Sequence, residues 1–179
     1  METGLIQARG KVAAFLDMGT NSVRLLVVRV DPGGVYTVLN QQREVVRLGE
    51  GEFQEQMLQP EAMDRAVLVC RKFNDLARSY GVKDFVAVAT SATRDAENQA
   101  KFLARIEKEA GLEVRVVSGR EEARLIYLGV SSGAHMGDSS AAFIDIGGGS
   151  TEVIVGTQAD YSFLDTLKLG AIRLTQMFF

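Results

Sequence analysis

The sequence lacks the features that mark several large classes of protein. It contains one cysteine, Cys70, among 179 residues, so no internal disulfide can form and a reducing compartment is expected. No apolar run approaches the ~18 residues that a bilayer-spanning helix needs. The N-terminal segment METGLIQARGK has no long apolar core of the kind found in signal peptides. These absences predict a cytoplasmic protein that has no membrane segment.

An excess of positive charge is also missing. The chain has 20 Lys and Arg residues against 23 Asp and Glu, for a net charge of −3, whereas general binders of nucleic acid or membrane surfaces are basic. We therefore expect no nucleic-acid partner and no membrane partner. The P-loop pattern G-x-x-x-x-G-K-[ST] does not occur. The one histidine, His135, lies in a Gly- and Ser-rich segment, where Ser-His-Asp chemistry has no support.

Hydrophobic periodicity predicts an α/β protein. Short apolar runs bounded by turn residues are typical of strands, and apolar residues spaced three or four apart are typical of helices. The order of these patterns is β-β-β-α-β-α-β-α, which implies a sheet with parallel members and helices packed on it. The predicted strands are 12–16, 23–30, 35–48, 85–89 and 114–117, and the predicted helices are 60–80, 96–110 and 120–130.

The opening β-β-β pattern occurs a second time near the end of the chain. An apolar run at 141–144 precedes an Asp- and Gly-containing turn, and strands are predicted at 153–156 and 163–169. Because internal repeats indicate duplicated units, we expect a first lobe at 11–132, a linker at 133–140 and an incomplete second lobe at 141–179. No helix is predicted to cover the second sheet. Exposed edges and an apolar chain end favour pairing with another chain, so we expect a homodimer or poor solubility. Because the second lobe is incomplete, we also expect weak or absent activity.

Each copy of the repeat has a glycine-containing turn directly after its first strand. The two turns are DMGTNS at 17–22 and DIGGGST at 145–151. Glycines let the backbone approach an anion closely, so that several N–H groups can point at phosphate oxygens. Asp17 and Asp145 would repel phosphate, and they are candidates to hold Mg²⁺ through water. The candidate phosphate-binding residues are Gly19, Thr20, Asn21, Ser22, Gly147, Gly148, Gly149 and Ser150.

Four charged residues between and beyond the turns could add chemistry. Arg94 follows the strand at 85–89, where a ligand of an open α/β sheet binds, and it could meet phosphate or form a surface ion pair. Glu121 and Glu122 open a predicted helix, where the dipole favours acids, but one of them could instead be a general base. Glu152 follows the second turn and is a candidate acid/base or metal-side residue.

Five segments in series resemble one family. They are DMGTNSVRLLV, RLGEG (47–51), ATSATRDAEN (89–98), SGREEARLIYLGV (118–130) and DIGGGSTE (145–152). In this order they resemble the exopolyphosphatase and guanosine pentaphosphate phosphohydrolase family, which belongs to the superfamily of sugar kinases, actin and the seventy-kilodalton chaperones. The resemblance implies a ribonuclease H-like (actin-like) lobe with β-β-β-α-β-α-β-α order, followed by the first strands of a similar lobe.

The resemblance also implies a reaction and its residues. Members remove the terminal phosphate of inorganic polyphosphate or guanosine pentaphosphate with Mg²⁺. Glu122 matches the family's catalytic base. Positions that contact phosphate in the family are matched by Arg94, Asn21 and the loop at 147–150. Acidic positions near the metal and the water are matched by Asp145 and Glu152. A kinase or ATPase of the same superfamily and a non-catalytic phosphate-binding module are the alternatives.

Overall fold

Five strands form the first sheet of the computed structural model, which describes residues 10–137 and 139–179. The sheet order is β3-β2-β1-β4-β5, with β1, β2 and β3 antiparallel and β1, β4 and β5 parallel. This order is that of the predicted ribonuclease H-like lobe, whose fold is confirmed. The strands are β1 (Lys11–Met18), β2 (Ser22–Val30), β3 (Tyr36–Val45), β4 (Asp84–Ala89) and β5 (Val114–Val116).

Four helices accompany this sheet: α1 (Glu52–Glu55), α2 (Pro60–Ser79), α3 (Ser91–Asp95) and α4 (Gln99–Ala110). The predicted periodic face of α2 is buried in the core of the first sheet, including Cys70, whose burial raises its thiol pKa to about 12. Cys70 is therefore an inert core residue. The helix predicted at 96–110 begins only at Gln99, because Ala96 is extended and the Glu97 N–H donates to the Gln56 carbonyl.

A second sheet contains β6 (Ala141–Ile146), β7 (Thr151–Gly156) and β8 (Tyr161–Leu167), all antiparallel. Helix α5 (Gly119–Gly133) packs on it, because Ala123 and Tyr127 share a buried cluster with Ile154 and Leu164. The expectation that no helix covers this sheet is therefore wrong. Tyr127 belongs to the helix that the sequence pattern had placed in the first lobe, but its side chain is buried against the second sheet.

The helix α5 also extends to Gly133, the first residue of the predicted linker. The rest of that linker is irregular where it is described, and Asp138 lies outside the described residues. Because α5 packs with the second sheet, the packing unit begins before the predicted boundary at 132. The division of the chain into lobes at these positions stays a prediction.

The last element is helix α6 (Ala171–Phe178), which the sequence pattern did not predict. It begins after Gly170, which is three residues beyond the end of β8. Three of its first N–H groups donate to carbonyls of the turn at 147–148. Its start is therefore fixed by tertiary contacts. Among the described residues, no helix combines the length and the apolar character that crossing a membrane requires.

Candidate active site

The two glycine-containing turns face each other across one cleft of about 350 Å³. We call residues 19–22 the first loop, which follows β1, and residues 147–150 the second loop, which follows β6. The cleft is lined by both loops together with Asp17, Arg24, Arg43, Thr90, Ser91, Glu122, Asp145, Ile146, Ala171 and Ile172. The structure thus brings together eleven of the thirteen predicted site residues, all except Arg94 and Glu152.

The two loops close with the same hydrogen bond. The Gly19 N–H donates to the Ser22 carbonyl at 3.1 Å, and the Gly147 N–H donates to the Ser150 carbonyl at 2.9 Å. A strand, a glycine and a serine therefore recur in the same geometry in both copies of the β-β-β unit. The repeat that the sequence predicted is a repeat of backbone conformation.

Helix α6 binds the carbonyls of the second loop. The Ala171 N–H donates to Gly147 at 2.9 Å, and the Ile172 and Arg173 N–H groups donate to Gly148 at 2.9 and 3.0 Å. The Arg173 Nε donates to the Gly149 carbonyl at 2.7 Å. All three carbonyls are thus held on the side of α6.

This arrangement turns three N–H groups the other way. In a trans peptide the N–H is antiparallel to the C=O of the same unit, and the described chain has no cis peptide bond. The N–H groups of Gly148, Gly149 and Ser150 therefore point away from α6, and these residues line the cleft. Within residues 10–137 and 139–179 none of the three donates a hydrogen bond to a protein group. Successive free N–H groups of this kind form a concave anion site.

The first loop is backed in the same way by the segment after β3. The Gly49 N–H donates to the Thr20 carbonyl at 2.9 Å, and the Val46 and Arg47 N–H groups donate to Asn21, each at 2.9 Å. The RLGEG segment therefore supports the first loop as the start of α6 supports the second. A Cβ at Gly49 would lie 2.4 Å from the Thr20 methyl group, so the backing segment requires glycine there.

Glu122 projects into the cleft from the first turn of α5. The Ser118 side chain accepts a hydrogen bond from the Glu121 N–H at 3.2 Å and fixes the start of this helix. Burial raises the pKa of the Glu122 carboxyl, and the charges of Glu152 and Asp17 raise it further, against the opposing hydrogen bond from Arg94. A carboxyl whose pKa is raised is a stronger base once ionised, which suits proton abstraction from water.

Arg94 does not line the cleft. Its NH1 group donates to Glu122 Oε2 at 2.8 Å and to the Val117 carbonyl at 3.0 Å. The ion pair that the sequence left open for Arg94 is present, but it is largely buried, since the two side chains are 21% and 17% exposed. In this structure Arg94 orients Glu122, and the assignment of Arg94 as a phosphate contact stays a prediction.

Glu152 also lies behind the cleft wall. It is 1% exposed and accepts a hydrogen bond from the Thr166 hydroxyl at 2.8 Å. It pairs with Asp145 across the β6–β7 ladder, so both side chains lie on the same face of the second sheet. Asp145 is exposed and lines the cleft, whereas Glu152 is buried. Glu152 is therefore placed to act on its neighbours through its charge.

The carboxylates of Asp17 and Asp145 are close enough to influence each other. Burial raises the pKa of Asp17, Arg24 opposes this, and the charge of Asp145 raises it further. Among the described residues, no three His, Cys, Asp or Glu side chains could together hold a metal ion. Two carboxylates at one cleft fit Mg²⁺, because this ion keeps most of its waters and uses one or two carboxylates.

Sequence reasoning missed four polar residues at the cleft: Arg24, Arg43, Thr90 and Ser91. Arg24 pairs with Asp17 across β1–β2 and with Arg43 across β2–β3. Extending the register of the hairpin from the loop would have found Arg24. Arg43 lies on the third strand, whose register includes a bulge at Val27–Val28, so counting residues could not place it.

The fold and the cleft define a protein of the actin-like class, in which two repeated β-β-β units present loops to a shared cleft. The sequence model of the Ppx/GppA phosphatase family matches residues 26–179, and the chain belongs to this family. It is 36% identical over 161 residues to Exopolyphosphatase 1 of Mycobacterium tuberculosis and of Mycobacterium bovis. These alignments cover 90% of this chain and 47% of the relatives, so the chain spans about half their length.

Solved structures lead to the same family. The crystal structure of an exopolyphosphatase from Cytophaga hutchinsonii superimposes with a TM-score of 0.91 at 33% identity, covering 94% of this chain and 54% of that one. The Ppx/GppA family member from Aquifex aeolicus superimposes with a TM-score of 0.79 at 30% identity, covering 94% and 55%. The predicted family is therefore confirmed.

Proposed function

We propose that this cleft hydrolyses the terminal phosphate of inorganic polyphosphate or of guanosine pentaphosphate. The observation that carries the proposal is that Glu122, a carboxylate oriented by an arginine, faces the same cleft as both glycine-containing loops. Phosphoryl transfer needs positioning and charge neutralisation more than covalent help. The two loops and Glu122 supply positioning and a base at one place.

The terminal phosphate binds the free N–H groups of Gly148, Gly149 and Ser150. Glu122 accepts a proton from a water molecule whose oxygen attacks the terminal phosphorus in line with the phosphoanhydride bond. That P–O bond breaks, orthophosphate is released, and the shortened chain leaves with the bridging oxygen. Asp17 and Asp145 would hold Mg²⁺, which would neutralise part of the phosphate charge. In this mechanism Arg94 keeps the Glu122 carboxylate directed at the cleft.

Arg24 and Arg43 support a substrate with several negative charges. They are exposed, line the cleft and lie opposite each other on adjacent strands. Like charges directly opposite each other destabilise a sheet, so an anion between them would relieve that repulsion. The chain as a whole is acidic, which makes this local basic edge a specific feature of the cleft.

Phosphate release from three substrates tests the proposal. The 179-residue chain is incubated with Mg²⁺ and polyphosphate, guanosine pentaphosphate or ATP, and orthophosphate is measured. We expect release from polyphosphate or guanosine pentaphosphate to exceed release from ATP. Preferred turnover of ATP would overturn the proposal in favour of the kinase or ATPase alternative.

A non-catalytic phosphate-binding module is the second candidate. It is favoured by the free N–H groups of the second loop, which bind an anion whether or not that anion is hydrolysed. Calorimetry with tripolyphosphate together with the phosphate-release assay separates the two candidates, because a binding module binds the anion and releases no phosphate.

We also propose a homodimer, since Ile144 and Ile146 on β6 are 65% and 71% exposed. Light scattering at high protein concentration tests it, and a clean monomer would count against it.

A further inference from the structure

Arg173 connects the second loop to the first sheet. It lies in the first turn of α6 and is 9% exposed. Its Nε donates to the Gly149 carbonyl at 2.7 Å, and its NH2 group lies 2.5 Å from Asp95 Oδ2 and 3.3 Å from Ser91 Oγ. Its guanidinium carbon lies 4.1 Å from the centre of the Phe53 ring. One side chain therefore contacts a loop of the second copy and three residues of the first sheet's helices.

The contact with Gly149 has a specific consequence for the loop. Backbone N–H groups of α6 bind the Gly147 and Gly148 carbonyls, but the Gly149 carbonyl is bound by the Arg173 side chain. Because the Ser150 N–H belongs to the same peptide unit as this carbonyl, its direction depends on Arg173. Of the three N–H groups turned toward the cleft, Ser150 alone is oriented by a side chain.

The other end of the guanidinium reaches the helix that orients Glu122. Asp95 is the neighbour of Arg94 in α3, and Arg94 donates to Glu122 at 2.8 Å. Burial would raise the pKa of Asp95, but hydrogen bonds from Arg173 and Lys168 outweigh it and lower the pKa. Asp95 is therefore a firmly ionised partner for Arg173. Helix α3 therefore contacts Arg173 through Asp95, and it contacts Glu122 through Arg94.

We propose that Arg173 is a positioning residue, which aligns the Ser150 N–H with the phosphate and fixes the second loop relative to Glu122. This role rests on the proposed function of the cleft. The planar fork of arginine can bind a carbonyl and a carboxylate at once, whereas the single ammonium group of lysine cannot reproduce that geometry. Charge alone is therefore insufficient at this position.

Nuclear magnetic resonance of the isotopically labelled chain tests the first half without any ligand. The variants are Arg173→Lys and Asp95→Asn, and the control is Arg105→Gln. Arg105 contacts two carboxylates, Asp64 and Glu109, but lies away from the cleft. We expect the Gly149 carbonyl and Ser150 amide resonances to shift in both variants and to stay unchanged in the control. Unchanged resonances in folded Arg173→Lys would overturn the proposal.

Titration with tripolyphosphate tests the second half. We expect Arg173→Lys to lower the affinity for tripolyphosphate about 10- to 100-fold. Asp95→Asn should also lower this affinity, and Arg105→Gln should stay within about twofold of the wild type. In the double variant the two losses should not add, because they remove one connection. Equal binding by wild type and Arg173→Lys would overturn the positioning role.

The two proposals fail in different ways. If the wild-type chain binds no tripolyphosphate while the Ser150 resonance still responds to Arg173→Lys, the proposed function fails and the link between Arg173 and the loop holds. If Arg173→Lys does not fold, Asp95→Asn provides the comparison instead, because it removes the carboxylate that holds the other end of the guanidinium and so loosens the bond between Arg173 and Gly149. Normal binding and unshifted resonances in Asp95→Asn would then overturn the inference.

Discussion

The two copies of the β-β-β unit share a backbone and differ in charge. Counted from Asp17 and Asp145, the same position of the second strand holds Arg24 in the first copy and Glu152 in the second. Arg24 is exposed at the cleft, whereas Glu152 is buried and bonded to Thr166. The first copy thus contributes a basic edge suited to a polyanion, and the second contributes buried negative charge that raises the pKa of Glu122.

A second matched pair lies just after the third strand of each copy. Counted from the Leu-Gly pairs at 48–49 and 169–170, Glu52 in the first copy corresponds to Arg173 in the second. Arg173 has carbonyl and carboxylate partners, but Glu52 Oε2 has no hydrogen-bond partner in the described chain. The duplicated backbone therefore builds two similar loops, while side chains at matched positions carry opposite charges, so the two copies contribute different charges to the cleft and its surroundings.

The largest expected effect comes from removing the base and leaving both loops in place. Glu122→Gln should lower phosphate release by about 10²- to 10⁴-fold, because the amide cannot accept the proton from water. Tripolyphosphate affinity should be retained, since the loop N–H groups are untouched. The measurements are steady-state phosphate release and calorimetry.

Glu121→Gln is the matched control for this variant. It changes the preceding residue in the same helical turn, which pairs with Arg124 on the surface and does not line the cleft. Its activity should stay close to that of the wild type. Full phosphate release by Glu122→Gln would show that Glu122 is not the base that activates water.

Arg94→Gln should lower activity by about 100- to 1000-fold, because an electrostatic donor is lost beside the reacting groups. It should also change the pH profile. A base acts when ionised, so activity falls as pH decreases through the pKa of Glu122, which is already raised. Without the hydrogen bond from Arg94 that opposes this rise, the acidic limb should move to higher pH. An unmoved limb would show that Arg94 does not act through Glu122.

Gly149→Ala addresses the difference between the loops directly. A Cβ at Gly149 would lie 2.4 Å from Ser91 Oγ and 2.8 Å from both Thr20 Oγ1 and Phe53 Cζ. Position 149 therefore needs glycine for two reasons. Side chains outside the second loop already fill the space of a Cβ, and phosphate must approach the backbone closely. We expect destabilisation by about 1–3 kcal/mol and a loss of tripolyphosphate affinity, measured by urea unfolding and calorimetry.

Gly129→Ala is the control, because nothing lies within 4 Å of a Cβ at this exposed position of α5. It should leave anion affinity unchanged and stabilise the chain by about 0.5–1 kcal/mol, since alanine favours the helix. If Gly149→Ala behaved like Gly129→Ala, the two copies would not be in close contact at the loops in solution.

Much of the site could be predicted from local sequence, because strand ends and glycines determine it. Asp17, both loops and Glu122 follow apolar runs at the carboxyl ends of strands or open a helix, and all reach the cleft. Arg94 was a candidate phosphate contact and Glu152 a candidate acid/base or metal-side residue, and in the structure both side chains bind protein groups. Both roles stay predictions. The directions of these side chains depend on partners that are 14 to 28 residues distant in sequence, which periodicity cannot specify.

The fold shows the same limit. The order of strands and long helices follows from periodicity, whereas α3 and α6 are short and depend on contacts elsewhere in the chain. The extended Ala96 that separates α3 from α4 is followed by a bond from Glu97 to Gln56, and the start of α6 is bound to the second loop. The assignment of α5 to the second sheet likewise required the contact of Tyr127 with Phe143 and Tyr161.

The smallest expected effect concerns Glu52, the counterpart of Arg173. Burial raises the pKa of Glu52 to about 7; the charge of Arg173 opposes this, that of Asp95 adds to it, and that of Lys168 opposes it. The folded chain therefore binds this proton more tightly than the unfolded chain does. The stability that follows is present below the ordinary pKa of 4.5 and is lost as pH rises toward about 7. Glutamine is neutral throughout, so Glu52→Gln should remove this loss.

Urea unfolding at pH 5 and pH 8 tests this expectation. Glu52→Gln should be close to the wild type at pH 5 and more stable by about 1–3 kcal/mol at pH 8. Glu55→Gln, in the same short helix but exposed and bonded to Gln59, should show no such difference. If Glu52→Gln were instead less stable at pH 8, Glu52 would be ionised and paired with Arg173. The matched positions of the two copies would then form an ion pair, and their opposite charges would help to hold the copies together.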